Sequence, residues 1–77
     1  MNTIERKIKL RPDEAKAFVL AASKCDFDID IFYNRYIVDA KSMLGVLGLD
    51  FAKTLSVRYC GYDADFENYL RTFAFAC

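Results

Sequence analysis

The first third of the chain divides into a strand and a helix by its pattern of apolar positions. Within Thr3–Leu10, three apolar residues share one parity and three charged residues lie on the other, which predicts a half-buried strand: Ile4, Ile8 and Leu10 against Glu5, Lys7 and Lys9. Pro12 suits the first position of a helix, where its missing N–H is not needed. Apolar residues then recur at i, i+3, i+4 and i+7, predicting a helix to about Ser23: Ala15, Phe18, Val19 and Ala22.

The middle of the chain predicts a β-hairpin. Apolar residues alternate with aspartates in the clearest strand pattern of the sequence: Phe27, Ile29 and Ile31. The pair Asn34-Arg35 then suits a tight turn into a second strand over Tyr36–Val38.

The last part of the chain predicts two helices separated by a strand. Ser42 is placed to cap a short helix over Met43–Leu47, and Gly48 is placed to end it. Apolar and polar residues then alternate in a fourth strand: Leu55, Val57 and Tyr59. Asp63 is placed to cap a final helix with one apolar face: Phe66, Tyr69, Leu70 and Phe73.

These elements predict one α+β domain over residues 1–77, in the order β-α-β-β-α-β-α. Strands with one polar parity need cover on only one face, so three helices on one side of a four-stranded antiparallel sheet satisfy the pattern. The predicted architecture is therefore an open-faced two-layer sandwich. Nine residues are expected in its single core: Phe18, Val19, Ile29, Ile31, Val46, Leu49, Val57, Phe66 and Leu70.

Composition narrows the range of functions. Apolar residues make up 55% of the 77 residues, and the eleven basic side chains balance eleven acidic ones. The chain therefore lacks the basic excess expected of a general nucleic-acid binder. We predict no membrane span, since no run approaches the roughly 18 apolar residues required, and the sequence shows no charged-then-apolar leader.

The three cysteines do not predict a metal site. Cys25, Cys60 and Cys77 lack paired ligand spacing, and without histidine they cannot complete a four-ligand zinc site. Free thiols are typical of a reducing compartment, so we predict a cytoplasmic protein with no metal and no cofactor.

Residues 22–65 contain a continuous, family-like series of residues: Tyr33-Asn34, Val38, Lys41-Ser42, Gly45-Val46, Leu49 and Ala52-Lys53. In this order and spacing the series resembles HPr, the small phosphocarrier family of the bacterial sugar phosphotransferase system. The resemblance implies the sheet order 1-4-2-3.

The chemistry that defines the family is missing. HPr proteins carry a phosphoryl group on the histidine of an H-A-R-P-A motif, and this chain contains no histidine. The corresponding segment is shorter and lacks glycine. Arg11-Pro12 repeats the R-P pair, but keeping the helix in register places Asp13-Glu14 opposite it, where the acids suit the first turn of a helix. We therefore predict neither phosphohistidine transfer nor another enzymatic activity.

Ser42 is the residue through which the resemblance implies a remaining role. In Gram-positive members, HPr kinase uses ATP to phosphorylate the serine of this K-S motif, and the phosphoserine form binds a catabolite-control regulator. Crh, a histidine-free relative, keeps only this signal. A phosphate at a helix N-terminus meets free backbone N–H groups, which suits such a switch. The alternative is that Ser42 only caps the helix.

The helix that follows Ser42 predicts a protein-binding patch. If Val46 and Leu49 face the core, neighbouring side chains project outward, and the resemblance implies that they dock on protein partners. The patch comprises Lys41, Met43, Leu44 and Leu47. The alternatives are burial within the chain and self-association. Two functions follow: a regulatory protein switched at Ser42, or a degenerate domain of HPr fold that only binds partners or forms a homodimer.

Overall fold

A computed structural model describes residues 2–73, and its order of elements confirms the predicted one. The strands are β1 (Ile4–Ile8), β2 (Ile29–Tyr33), β3 (Tyr36–Asp39) and β4 (Leu55–Tyr59). The helices are α1 (Ala15–Ser23), α2 (Met43–Leu47) and α3 (Ala64–Arg71). A short 3-10 helix, Pro12–Glu14, leads into α1 with proline at its first position.

The four strands form one antiparallel sheet in the order β1-β4-β2-β3. Strand β4 is central and pairs with both β1 and β2, for example Arg6 with Val57 and Ile31 with Val57. The hairpin between β2 and β3 turns at Asn34, which adopts a left-handed φ of 52° that asparagine tolerates better than most residues. The predicted sheet order is therefore confirmed.

The core lies between the sheet and the helices, as one apolar parity on each strand requires. All nine predicted core residues are buried: Phe18, Val19, Ile29, Ile31, Val46, Leu49, Val57, Phe66 and Leu70. Rings from α1, α3 and β4 meet there, with Phe18 and Phe66 centroids 6.4 Å apart and those of Tyr59 and Phe66 5.5 Å apart. Such packing offsets the small surface that a short chain can bury.

The strands are shorter than the alternation of the sequence. Leu10 and Phe27 lie outside β1 and β2, although Leu10 is buried and Phe27 stacks on Tyr59 with centroids 5.7 Å apart. The alternation of apolar and polar residues continues beyond the last paired residue of a strand. A side chain can contact the core there even though its backbone is not paired in the sheet.

The cysteines within residues 2–73 are free thiols. Cys25 is buried and Cys60 partly buried, while Cys77 lies outside the described residues. Burial raises the pKa of the Cys25 thiol, which keeps it protonated. Within the same residues, no group of three or more potential His, Cys, Asp or Glu ligands is placed to hold a metal ion. No helix in this part of the chain has both the length and the apolar content for a membrane crossing.

Candidate functional site

Ser42 occupies the N-cap of α2, as the sequence predicted. Its backbone is extended, and its Oγ accepts a hydrogen bond from the Gly45 N–H at 3.2 Å. The carbonyl of Ser42 accepts from the Val46 N–H at 2.9 Å, which starts the helical hydrogen bonds. The Ser42 side chain is half-buried, and its hydroxyl satisfies one of the free N–H groups at the start of the helix.

Lys41 is fixed by the loop that precedes α2. Its Nζ donates to the Cys25 carbonyl at 2.9 Å, and its backbone N–H donates to the Asp39 carboxylate at 2.9 Å. The Lys41 ammonium therefore ties the end of β3 to the segment after α1, and it is held in place rather than extended into solvent.

Gly45 allows α2 to lie close against β3. A Cβ at this position would stand 3.1 Å from the Val38 Cβ and 3.3 Å from the Ser42 Oγ, closer than side chains normally approach. The glycine thus brings the helix onto the sheet at the same residue whose N–H bonds Ser42. This close approach fixes which side of α2 faces outward.

The structure separates the residues of the predicted patch by exposure. Leu44 is 86% exposed and Leu47 is 53% exposed, whereas Val46 of the same helix is fully buried. Met43 is half-buried and packs against the core. The outward apolar surface of α2 therefore consists of Leu44 and Leu47, which we call the leucine pair. Leu44 exposes apolar surface to water. A partner that covers this side chain removes the surface from water, which favours binding.

The segment from Arg11 to Glu14, just before α1, is held by local ion pairs. The Arg11 guanidinium lies 3.2 Å from the Asp13 carboxylate and 3.8 Å from that of Glu14. The Glu14 carboxylate also accepts from the Arg11 backbone N–H at 2.9 Å. These contacts position the three side chains at the start of the helix, consistent with the role of first-turn charges.

A polar network between the sheet and α3 is not among the sites that the sequence predicts. Glu67 is only 7% exposed and accepts from Arg6 Nη2 at 3.2 Å and from the Tyr59 hydroxyl. It therefore joins β1, β4 and α3. The signal lay in the parity of β1, because Arg6 lies on the same parity as the apolar residues Ile4 and Ile8.

The network holds Tyr59 in its neutral form. Burial and, secondarily, the hydrogen bond to Glu67 raise the pKa of Tyr59 to about 12. Both effects favour the protonated phenol, which donates to the carboxylate. The network thus helps to fix the orientation of α3 on the sheet.

Comparison with known proteins identifies the fold. No protein-family model matches the chain, and no curated protein matches it. Solved structures do match, among them the phosphocarrier protein HPr from Bacillus anthracis str. Ames, with a TM-score of 0.73 and 21% identity. That match covers 97% of this chain and 100% of the other. HPr-C-His from Thermoanaerobacter tengcongensis matches with a TM-score of 0.68 and 25% identity, over 94% of this chain and 89% of the other. The chain has an HPr-like fold.

Proposed function

We propose that this chain is a single HPr-like domain that has lost phosphohistidine transfer and acts as a cytoplasmic regulatory protein. Its place would be in the phosphotransferase and carbon catabolite control system, as a non-enzymatic protein that binds other proteins. The HPr-like fold and the absence of histidine support this proposal. The observation that carries it is the exposed leucine pair on α2, directly after a serine that caps the helix.

Phosphorylation of Ser42 would supply the switch. HPr kinase would transfer the terminal phosphoryl group of ATP to the Ser42 Oγ, and ADP would leave. The added group carries roughly −1.5 to −2 charge, and its oxygens can accept from the same Gly45 N–H that the hydroxyl contacts now. The helix would then keep its start while presenting an anion beside the leucine pair. A catabolite-control regulator would recognise the two together.

A degenerate interaction domain is the second candidate. It is favoured by the fact that the polar groups at this site already have structural partners: Ser42 Oγ bonds Gly45, and Lys41 Nζ bonds Cys25. In that case Ser42 is a cap and nothing more, and the leucine pair binds a protein or a second copy without modification. The two candidates share a surface and differ in whether Ser42 is modified.

Replacing Leu47 by lysine should weaken binding of the Ser42-phosphorylated protein to the catabolite-control regulator by about tenfold or more. The change removes an exposed apolar contact and adds a charge that the interface must desolvate, while Leu47 contributes little to the core. Titration calorimetry measures the affinity, and the circular-dichroism melt should remain nearly unchanged.

Ile37→Lys is the matched control, because Ile37 is also 53% exposed but lies in β3 and not on α2. It should bind the regulator as the parent does. Equal losses in both variants, or unfolding of Leu47→Lys, would contradict an interface on α2.

A further inference from the structure

Among residues 2–73, the outer edge of β1 carries backbone groups without a partner, and the sheet register identifies them. The Ala40 N–H donates to the Ile29 carbonyl, so the odd residues of β2 bond to β3 and the even ones bond to β4. Carrying this alternation across β4 makes Ile4, Arg6 and Ile8 the residues that bond to β4. The N–H and C=O groups of Glu5 and Lys7 therefore point away from the sheet.

The next backbone N–H that points outward from this edge already has a hydrogen-bond partner. The Lys9 N–H donates to the Phe73 carbonyl at 3.2 Å, which closes the edge beyond Ile8. Within residues 2–73, the free part of the edge is therefore β1 itself. Unpaired strand edges are templates for pairing with another strand.

The charges of β1 complement those of a second β1 strand that runs antiparallel to it. Its sequence is Ile4-Glu5-Arg6-Lys7-Ile8, so an antiparallel copy centred on Arg6 places Glu5 opposite Lys7 and Lys7 opposite Glu5. Both residues have outward backbone groups, so each such pair exchanges two hydrogen bonds, four in all across the two-fold axis. Shifting the copy by two residues in one direction places Glu5 opposite Glu5, and in the other direction Lys7 opposite Lys7. Charge therefore selects a single register.

The arginine on the axis does not oppose this pairing. Arg6 would face Arg6 of the second copy, but each guanidinium is bound to the buried Glu67 of its own chain at 3.2 Å. The side chains of Glu5 and Lys7 lie on the open face of the sheet, half-exposed and 3.8 Å apart, and are free to exchange partners. The Arg6–Glu67 pair thus neutralises the one like-charge contact that the register creates.

We propose that two copies of this chain associate through antiparallel pairing of β1, which joins their sheets into one of eight strands. The partner is a second copy because the reversed β1 strand matches both the charges and the outward backbone groups. Since β1 lies at the edge of the sheet opposite β3, against which α2 packs, the pairing leaves the leucine pair of each copy free. The inference goes beyond the proposed function and does not depend on Ser42. A five-residue edge buries less than the roughly 800 Å² per partner of a standard interface, so the dimer is weak.

Charge reversal tests the pairing. Sedimentation of the wild-type protein should show the 8.9 kDa monomer giving way to a species of twice that mass as the concentration rises from about 10 μM to about 1 mM. Glu5→Lys and Lys7→Glu should each weaken association by about tenfold or more, because two attractive pairs become two repulsive ones. The double variant Glu5→Lys/Lys7→Glu should restore it. Lys16→Glu, an exposed change of the same charge on α1, is the matched control.

Amide hydrogen exchange reports on the backbone directly. At high concentration the amides of Glu5 and Lys7 should become protected, while that of Ile37, on the opposite edge, should not. A monomer throughout the concentration range would overturn the proposal. A dimer whose stability is unchanged by Glu5→Lys and Lys7→Glu would also overturn it. The same holds for a dimer that leaves the Glu5 and Lys7 amides unprotected, or one that dissociates when Leu47 is replaced by lysine. The last result would locate self-association on α2 instead, and none of these results bears on phosphorylation of Ser42.

Discussion

Replacing Phe18 by alanine is expected to lower the free energy of unfolding by about 3–5 kcal/mol. Phe18 is fully buried on α1, and its ring lies 6.4 Å from those of Phe66 and Tyr69 on α3. Truncation therefore removes the contact between two helices and leaves a cavity that the rigid sheet cannot fill. A chain of this length has a total stability of about 4–12 kcal/mol, so the variant loses at least a quarter of it.

Urea denaturation of Phe18→Ala against Leu20→Ala measures this effect. Leu20 lies on the same helix but is 54% exposed, so its truncation should cost about 1 kcal/mol or less. The same argument applies to Phe66→Ala, since Phe66 is buried against Phe18 and Tyr59. Similar costs for Phe18→Ala and Leu20→Ala would show that the core does not lie between the sheet and α1.

Replacing Tyr59 by phenylalanine is expected to change how stability depends on pH. At pH 8 the variant should be about 1–2 kcal/mol less stable, because Glu67 loses a buried hydrogen-bond donor. The pKa of Tyr59 is about 12 in the folded chain, against about 10 in the unfolded chain. The neutral phenol thus contributes stability below pH 10 that is lost as the pH rises through 12.

The loss should reach about 1–1.5 kcal/mol by pH 11 and roughly 2–3 kcal/mol in full, and it should be absent from Tyr59→Phe. The difference between parent and variant should therefore shrink as the pH rises. Denaturant melts at pH 8 and pH 11 measure it, with Tyr62→Phe as the control because Tyr62 is largely exposed. If the difference in stability between the parent and Tyr59→Phe is the same at both pH values, the raised pKa of Tyr59 is contradicted.

The layers of the fold could be predicted because the spacing of apolar residues in each element shows which of its faces is buried. The alternation of Ile29 and Ile31 with aspartates marks both a strand and its inward face, and the spacing of Phe18 and Val19 does the same for α1. Such patterns are local, so they hold whatever the element packs against. The caps at Ser42 and Asp63 were predictable for the same reason, since their partners are the N–H groups of Gly45 and Phe66, three residues away.

The buried network could not be predicted as a pair, because Arg6 and Glu67 are sixty-one positions apart in the sequence. Arg6 has the parity of a core residue, but only the sheet order and the position of α3 bring a carboxylate to it. Which side chains of α2 are exposed could not be fully predicted, for a different reason. A helix of five residues is too short for periodicity to separate Met43 from Leu44 and Leu47, and its packing on β3 through Gly45 decides that Met43 is half-buried.

Phosphorylation-site mapping tests the central claim, that an HPr-like chain has kept a serine switch and lost phosphohistidine transfer. The chain is incubated either with phosphoenolpyruvate and enzyme I or with ATP and HPr kinase, and phosphate is located by mass spectrometry at neutral pH. A histidine-containing HPr in the first reaction and Ser42→Ala in the second serve as controls. We expect phosphate on Ser42 from ATP and none from phosphoenolpyruvate, since no imidazole is present to accept it. Acid-labile phosphate from phosphoenolpyruvate, for instance on Asp13 or Glu14, would contradict the loss of phosphotransfer, and an unmodified Ser42 would contradict the switch.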